Sequence, residues 1–138
     1  MKKRLVIGNW KMYIESPDEG KKMAQALKRK AAKFKGVEVW VAAPFTILPA
    51  LKGTVKAGVQ TVSAWAEGAH TGEVSSAMAR GAGASFVIIG HSERRQLFAE
   101  RDEAFAFYAY WSPNALASQI TALSGRGRKT PVRPRLQA

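Results

Sequence analysis

Two stretches of this sequence place polar side chains directly after short apolar runs. Asn9 and Lys11 follow the apolar run at residues 5–7, and His91 follows the run at residues 86–89 and a glycine. A lysine ammonium can bind an anion, and a histidine can exchange a proton near neutral pH. Parallel α/β folds place such groups at the carboxyl ends of their strands, where their catalytic sites lie. Asn9, Lys11 and His91 are therefore candidate site residues.

The residues after His91 are typical of a helix start. Ser92 can cap a helix, and Glu93 suits the first helical turn because it faces the positive end of the helix dipole. Taken one at a time, these residues also have purely structural interpretations. Lys11 would be a solvated lysine, Asn9 a turn residue and His91 a hydrogen-bonded histidine at a strand end.

Apolar patterning predicts four strands that alternate with helices. The predicted strands lie at residues 4–8, 37–43, 58–63 and 85–89, and the predicted helices at residues 17–35, 45–55 and 76–80. Ser16, Pro17 and Glu19 form a capping box at the start of the first helix. This alternation predicts an α/β fold made of parallel βα units.

Strand periodicity also predicts which way the polar residues face. Side chains alternate along a strand, so Lys11 shares a face with Ile7 if the strand geometry persists. By the same rule His91 shares a face with Val87 and Ile89. We therefore expect both polar strand ends to point into one interior.

Length and composition exclude several classes of protein. The 138 residues allow one domain with a tail, and 46% of them are apolar, which is enough for a packed core. The chain has no cysteine, which excludes disulfides and thiolate metal sites and is typical of a cytoplasmic protein. The apolar run behind Met1 is too short for a secretory signal, and no run approaches the ~18 residues of a membrane span.

The character of the chain changes after residue 104. All ten acidic residues lie at or before Glu103, whereas residues 126–138 carry five of the basic residues behind the net charge of +12. Five aromatic residues fall within residues 105–111, and the spacing after Ser112 predicts a helix that ends at Gly125, with no further buried strand. We therefore predict a folded unit at residues 1–104 and an aromatic, then basic, tail at residues 105–138.

Five motifs, taken in order, resemble the triosephosphate isomerase family. They are Gly8-Asn-Trp-Lys-Met12, the strand end Ala43-Pro-Phe45, Gln60, Gly68-Ala-His-Thr-Gly-Glu73 and Gly90-His-Ser-Glu-Arg-Arg95. The resemblance runs from about residue 5 to about residue 103. It implies a TIM (β/α)8-barrel fold, of which this chain has about four parallel βα units and a tail outside the family fold. Such barrels have ~250 residues and eight units, so the resemblance covers about half of one.

The resemblance implies a chemistry and a role for each candidate residue. The family interconverts dihydroxyacetone phosphate and glyceraldehyde 3-phosphate through an enediolate, in glycolysis and gluconeogenesis in the cytoplasm, without a cofactor or metal. By resemblance, His91 and Lys11 are catalytic: His91 polarises the substrate carbonyl and Lys11 faces the phosphate and the enediolate. Asn9 and Lys11 bind substrate, and Ser92 and Glu93 support them.

The resemblance also implies a homodimer. Thr71 and Glu73 match the loop that enters the neighbouring subunit in the family, and Arg94 would pair with Glu73 across that interface. Two residues depart from the family pattern: His70 replaces an aromatic residue and Ala99 replaces a glycine.

One part of the family site has no counterpart in this sequence. The family's catalytic base is a glutamate on the sixth unit, and no acidic residue follows Glu103 here. The phosphate-binding loops after strands seven and eight are missing too. We therefore expect a truncated chain that is inactive by itself.

Two alternatives to an isomerase stay open. One is a non-catalytic half-barrel that associates with itself or binds anions. The other is nucleic-acid binding through the basic tail, which ranks last because nothing upstream of the tail is suited to reading bases.

Overall fold

The computed structural model describes residues 4–101 and 121–124. Its strands form one parallel sheet: β1 (Arg4–Asn9), β2 (Val37–Ala43), β3 (Lys56–Val59), β4 (Phe86–Ile89) and β5 (Thr121–Ser124). The strands lie side by side in chain order, without a reversal. That order is typical of a barrel wall, whereas a doubly wound sheet reverses its strand order. The predicted α/β fold of parallel βα units is confirmed.

Within residues 4–101, three helices and one 3-10 turn connect strands or follow them. They are α1 (Pro17–Ala31), the 3-10 turn (Leu48–Leu51), α2 (Ser76–Gly81) and α3 (Ser92–Leu97). One half of the predicted capping box of α1 forms, because the Glu19 N–H donates to Ser16 Oγ at 3.2 Å. The Glu19 carboxylate accepts from the N–H of Glu15, one residue before the cap, and not from that of Ser16. None of the helices in the described part of the chain combines the length and hydropathy needed to cross a membrane.

The sheet has a different apolar cluster on each face. Val41 and Ala43 of β2 belong to an outer cluster with the helices and the 3-10 turn, which includes Ala24 of α1. Trp40 and Phe86 belong to a smaller inner cluster. The split follows from strand geometry, because neighbouring residues of β2 point to opposite faces.

The predicted facing of the polar strand ends is wrong. Ile7 packs against the inner cluster, whereas Val87 belongs to the outer one, so continued alternation would send Lys11 and His91 to opposite faces. Left-handed backbone breaks the alternation at both places, with φ of 52° at Lys11 and 63° at Gly90. The two strand ends meet because of these turns, not because of strand periodicity.

Gly58 sets how closely β3 approaches β4. A Cβ atom at Gly58 would collide with the carbonyl oxygen and the ring of Phe86. The Phe86 ring is fully buried there, with its centroid 5.3 Å from that of Trp40. Gly58 therefore allows β4 to lie where its carboxyl end brings His91 beside β1.

The predicted helix between Ser112 and Gly125 is wrong at residues 121–124. Those residues form β5, which pairs with β4 from Phe86 opposite Thr121 to Ile89 opposite Ser124. A strand of four residues is too short for its periodicity to be distinguished from that of a helix. The predicted boundary at residue 104 and the aromatic run at 105–111 lie outside the described residues, as does the basic segment at 126–138.

Candidate active site

The end of β1 holds Lys11 in an unusual backbone conformation. Lys11 has a φ of 52°, which is sparsely populated by residues other than glycine. Asn9 Oδ1 accepts the Lys11 N–H at 2.9 Å, forming a turn that asparagine favours. Asn9 therefore fixes the turn that presents the Lys11 side chain.

Gln60 holds the same turn from the end of β3. Its Nε2 donates to the Lys11 carbonyl oxygen at 2.7 Å and lies 3.4 Å from the Ala42 carbonyl oxygen. The Trp10 N–H also donates to Ala42, at 3.0 Å, and the Trp10 ring is buried in the outer cluster. Gln60 belongs to the motifs above, yet no role was predicted for it. The predicted strand at 58–63 placed Gln60 inside the strand, whereas β3 ends at Val59, so Gln60 follows a strand end as an amide only in the structure.

His91 caps α3 with its own ring. The Glu93 N–H donates to His91 Nδ1 at 3.2 Å, so His91 occupies the capping position and Ser92 is an exposed first residue of the helix. A ring nitrogen that accepts a hydrogen bond carries no proton. The proton of a neutral His91 ring therefore lies on Nε2, which is free to act as a donor.

An ion pair between Lys11 and Glu93 joins the ends of β1 and β4. The hydrogen bond between them raises the pKa of Lys11 and lowers the pKa of Glu93, so both groups stay charged over a wide pH range. The Lys11 and Glu93 side chains are 43% and 45% exposed. Glu93 Oε2 also lies 3.6 Å from His91 Nδ1. The structure thus joins a cation, a carboxylate and an imidazole in one exposed group.

Thr71 and Glu73 lie elsewhere, on the exposed loop before α2. The described carboxylate that pairs with Arg94 is Glu100 of the same chain, and the Arg94 guanidinium lies 4.6 Å from the centre of the Phe98 ring. Pairing between Arg94 and Glu73 of a second subunit stays a prediction.

Both departures from the family pattern have a local explanation. The His70 ring stacks on Trp65 with 4.2 Å between centroids and 16° between planes, so the histidine does the packing of an aromatic residue. Ala99 has a φ of 53°, a conformation that glycine adopts without strain. The backbone at Ala99 therefore has the left-handed conformation that suits glycine, although the residue is alanine.

A cavity of about 760 Å³ lies beside the polar group, not around it. Trp65, Glu73, Arg94 and Phe98 line this cavity, and neither Lys11 nor His91 does. The predicted catalytic residues thus lie outside this open cavity, whereas Glu73 and Arg94 both line it. Within residues 4–101 and 121–124, no three histidine or acidic side chains are grouped to bind a metal ion.

Comparisons with known proteins agree on one family. The family model described as triosephosphate isomerase matches residues 4–116. The triosephosphate isomerase of Endomicrobium trichonymphae is 43% identical over 109 residues, which is 75% of this chain and 43% of that protein. The enzyme of Deinococcus radiodurans is 40% identical over 131 residues, which is 92% of this chain and 52% of that protein.

A solved structure supports the same assignment. The crystal structure of triosephosphate isomerase from Bartonella henselae aligns with a TM-score of 0.69 and 31% sequence identity. The alignment covers 87% of this chain and 50% of that one. The chain thus spans about half the length of the proteins it matches.

Proposed function

The chain belongs to the triosephosphate isomerase family, and on that premise we propose that it carries one half of an isomerase site. The proposed reaction interconverts dihydroxyacetone phosphate and glyceraldehyde 3-phosphate through an enediolate, in glycolysis and gluconeogenesis in the cytoplasm. The observation that supports this most strongly is the joined group of Lys11, Glu93 and His91 at the carboxyl ends of β1 and β4.

Lys11 and Asn9 bind the substrate in this proposal. The Lys11 ammonium is a fixed positive charge, because Glu93 raises its pKa and Gln60 holds its backbone. A cation placed before the reaction begins stabilises negative charge that develops on the substrate. Asn9 holds the turn, and Glu93 limits the positions that the ammonium can take.

His91 acts on the substrate carbonyl. Its Nδ1 accepts the Glu93 N–H, so Nε2 carries the proton and donates it toward the carbonyl oxygen. That bond polarises the carbonyl while a base removes the proton from the neighbouring carbon, which gives the enediolate. Triosephosphate isomerase is the standard example of a neutral histidine in this role.

The base is missing from this half of the site. No acidic residue follows Glu103, so the sequence offers no counterpart to the family's glutamate on the sixth unit. General-base catalysis is typically worth ~10²–10⁴-fold in rate, and positioning by the remaining units adds to that. We therefore expect the 138-residue chain to bind the substrate weakly and to turn it over no faster than buffer.

Two measurements on the purified chain test this function. A coupled isomerase assay should show no turnover, and titration with dihydroxyacetone phosphate followed by NMR should show weak binding. Lys11→Met should abolish the binding, whereas Lys52→Met, which removes an exposed lysine far from Lys11 in sequence, should leave it unchanged. Turnover that His91→Gln abolishes would overturn the expected inactivity. Binding of dihydroxyacetone phosphate that is unchanged by Lys11→Met would contradict the proposed substrate site.

The homodimer belongs to the same proposal. Thr71 and Glu73 are exposed, and Glu73 lines a cavity together with Arg94, which gives a partner loop a place to dock. Charge reversal by Glu73→Arg should shift the chain toward monomer in sedimentation velocity. An unchanged distribution would exclude this surface.

A self-associating half-barrel without catalysis is the second candidate. Its support is the edge of β1, which pairs with β2 alone among the described strands and leaves Leu5 and Val6 37% and 53% exposed. Unpaired strand edges favour association with another chain. Val6→Lys should then produce monomers while Glu73→Arg does not, which distinguishes the two modes of association.

A further inference from the structure

Helix α1 and the turn after it carry a dense set of positive charges. Residues 20–36 contain no acidic residue and seven basic ones: Lys21, Lys22, Lys28, Arg29, Lys30, Lys33 and Lys35. All seven are exposed. The acidic residues of α1, Asp18 and Glu19, lie in its first turn, close to Lys21 and Lys22 in sequence but at the other end of the helix from Lys28, Arg29 and Lys30.

Local roles explain only part of this set. The Lys28 ammonium donates to the Gly53 carbonyl oxygen at 2.9 Å, which links α1 to the end of the 3-10 turn. Lys28, Arg29 and Lys30 lie in the last turn, where a cation stabilises the helix dipole by about 0.3–1 kcal/mol. That effect fades within one turn, so it does not account for Lys22 or for Lys35.

These charges repel one another and lack nearby carboxylates. Within residues 4–101 and 121–124, no Asp or Glu oxygen lies within 4.0 Å of any of the seven side chains. Lys28, Arg29 and Lys30 are consecutive in the last turn of α1, and Lys33 and Lys35 follow within five residues, so like charges lie close together. A bound polyanion would turn this repulsion into attraction.

This surface lies at the end of the sheet opposite the candidate active site. The Arg4 N–H donates to the Gly36 carbonyl oxygen at 2.7 Å, which brings exposed Arg4 next to the turn after α1. Glu38 follows closely, but its carboxylate accepts a hydrogen bond from Trp40 Nε1 at 2.8 Å. We call the exposed group of Arg4, Lys22, Arg29, Lys30, Lys33 and Lys35 the basic face.

An aromatic ring lies within the basic face. Phe34 is 64% exposed, with Lys33 and Lys35 on either side of it in sequence. Exposed aromatic rings between cations are typical of surfaces that bind single-stranded nucleic acid, because bases stack on the ring while the cations hold the phosphates. Such binding needs no side chain that reads bases.

We propose that the basic face binds the phosphate backbone of single-stranded nucleic acid without sequence preference. The fifteen residues of α1 are about 22 Å long, and at about 100° per residue Lys22 and Arg29 point within about 20° of each other, with Lys30 about 100° from Arg29. A flexible strand can run along this stripe of charge and continue over the turn after α1. The proposal is independent of the isomerase site.

Salt-dependent binding of the full chain to labelled oligouridine of about 16 nucleotides, followed by fluorescence anisotropy, tests the proposal. Each phosphate contact adds about 0.7 to the slope of log affinity against log salt for a single strand. Arg29→Gln/Lys33→Gln should therefore lower the slope by about 1.4 between about 50 and 200 mM KCl. Arg80→Gln/Arg101→Gln, which removes the same charge from exposed positions outside α1 and the turn after it, should leave the slope unchanged.

The aromatic part of the surface has its own variant. Stacking of a base on an aromatic ring is worth about 1–3 kcal/mol, so Phe34→Ala should weaken binding by about fivefold or more with little change in the salt slope. Phe98→Ala removes a ring of equal exposure, 64%, at the residue that follows α3, and serves as its control.

Four results would overturn the proposal. The first is that the chain does not bind oligouridine. The second is that the two double variants lower the salt slope equally. The third is that the chain binds phosphatidylserine vesicles but not oligouridine. The fourth is binding that ignores Arg29→Gln/Lys33→Gln but disappears when the five basic residues at 126–138 become glutamine, since that would assign it to the tail.

Discussion

The two ends of the sheet use positive charge in opposite ways. At the carboxyl end, the Lys11 ammonium pairs with Glu93 and its backbone is held by Gln60. At the amino end, Arg29 and Lys33 are exposed, with no acidic oxygen of the described residues within 4.0 Å. A charge held by partners can be positioned for chemistry, whereas unpaired charges suit loose binding of a large anion.

The ends also differ in what assembles them. The contacts that hold Lys11 join residues 82 and 49 positions apart in the sequence, so they exist only when the sheet has formed. The basic face consists mostly of one helix and the turn after it. Changes to the sheet should therefore damage the site and spare the basic face.

Gly58→Ala should give the largest difference in effect between the carboxyl end of the sheet and the amino end. The new Cβ atom would collide with Phe86, and overpacking of this kind typically costs about 1–3 kcal/mol. Urea denaturation should show that loss, together with weaker binding of dihydroxyacetone phosphate and an unchanged salt slope for oligouridine. Gly81→Ala, where a Cβ meets no atom within 4 Å, is the matched control and should not destabilise the protein. Equal effects at both glycines would contradict the packing described for Gly58.

Gln60→Leu tests whether hydrogen bonds from other strands hold Lys11. The Lys11 carbonyl oxygen would lose its partner, which should lower the free energy of unfolding by about 1 kcal/mol and weaken substrate binding. Gln25→Leu, at an exposed position of α1, should change either quantity little. Unchanged substrate binding in Gln60→Leu would show that Lys11 keeps its conformation without Gln60.

Ala99→Gly should stabilise the chain by up to about 1 kcal/mol. Ala99 has a left-handed φ of 53°, which strains any residue with a Cβ atom, and glycine removes that strain. Ala77→Gly, at an exposed helical position, should destabilise the chain by a similar amount. The changes in the free energy of unfolding from Ala99→Gly and Ala77→Gly should therefore have opposite signs in urea denaturation. Destabilisation by both substitutions would contradict the left-handed conformation of Ala99.

The ion pair of Lys11 and Glu93 should give the smallest effect, visible as a pH dependence. The pair lowers the Glu93 pKa below its ordinary value of 4.5. The pair therefore stabilises the fold fully at pH values above 4.5, and this contribution is lost as the pH falls below 4.5 and through the lowered pKa. The pair also raises the Lys11 pKa above its ordinary value of 10.5, so its contribution to stability is complete at pH values below 10.5 and is lost as the pH rises above 10.5. The difference in unfolding free energy between the parent chain and Glu93→Gln should shrink outside this range. A difference that does not vary with pH would exclude the pair.

Local sequence signals predicted much of this fold and part of the site. The alternation of apolar runs indicated β1 to β4, and the capping box placed the start of α1 at Pro17. Polar residues after strands identified Asn9, Lys11 and His91. Each of these signals lies within a few neighbouring residues, which is why the sequence alone carries it.

The features that were missed depend on contacts between distant residues or on backbone turns. The pairing of Lys11 with Glu93 and the role of Gln60 require the sheet to be assembled. Strand periodicity failed because Lys11 and Gly90 adopt left-handed conformations that a hydrophobic pattern does not reveal. Strand β5 was missed because Thr121 and Ser124 leave it without the continuous apolar run that marks β4, which is equally short.

The tautomer of His91 tests the central claim most directly. In a His70→Gln chain uniformly labelled with ¹⁵N, the long-range ¹H–¹⁵N spectrum reports on one histidine, His91. The hydrogen bond from the Glu93 N–H predicts that the neutral ring has an unprotonated Nδ1 and a proton on Nε2. A proton on Nδ1 would contradict the proposed donor to the substrate carbonyl.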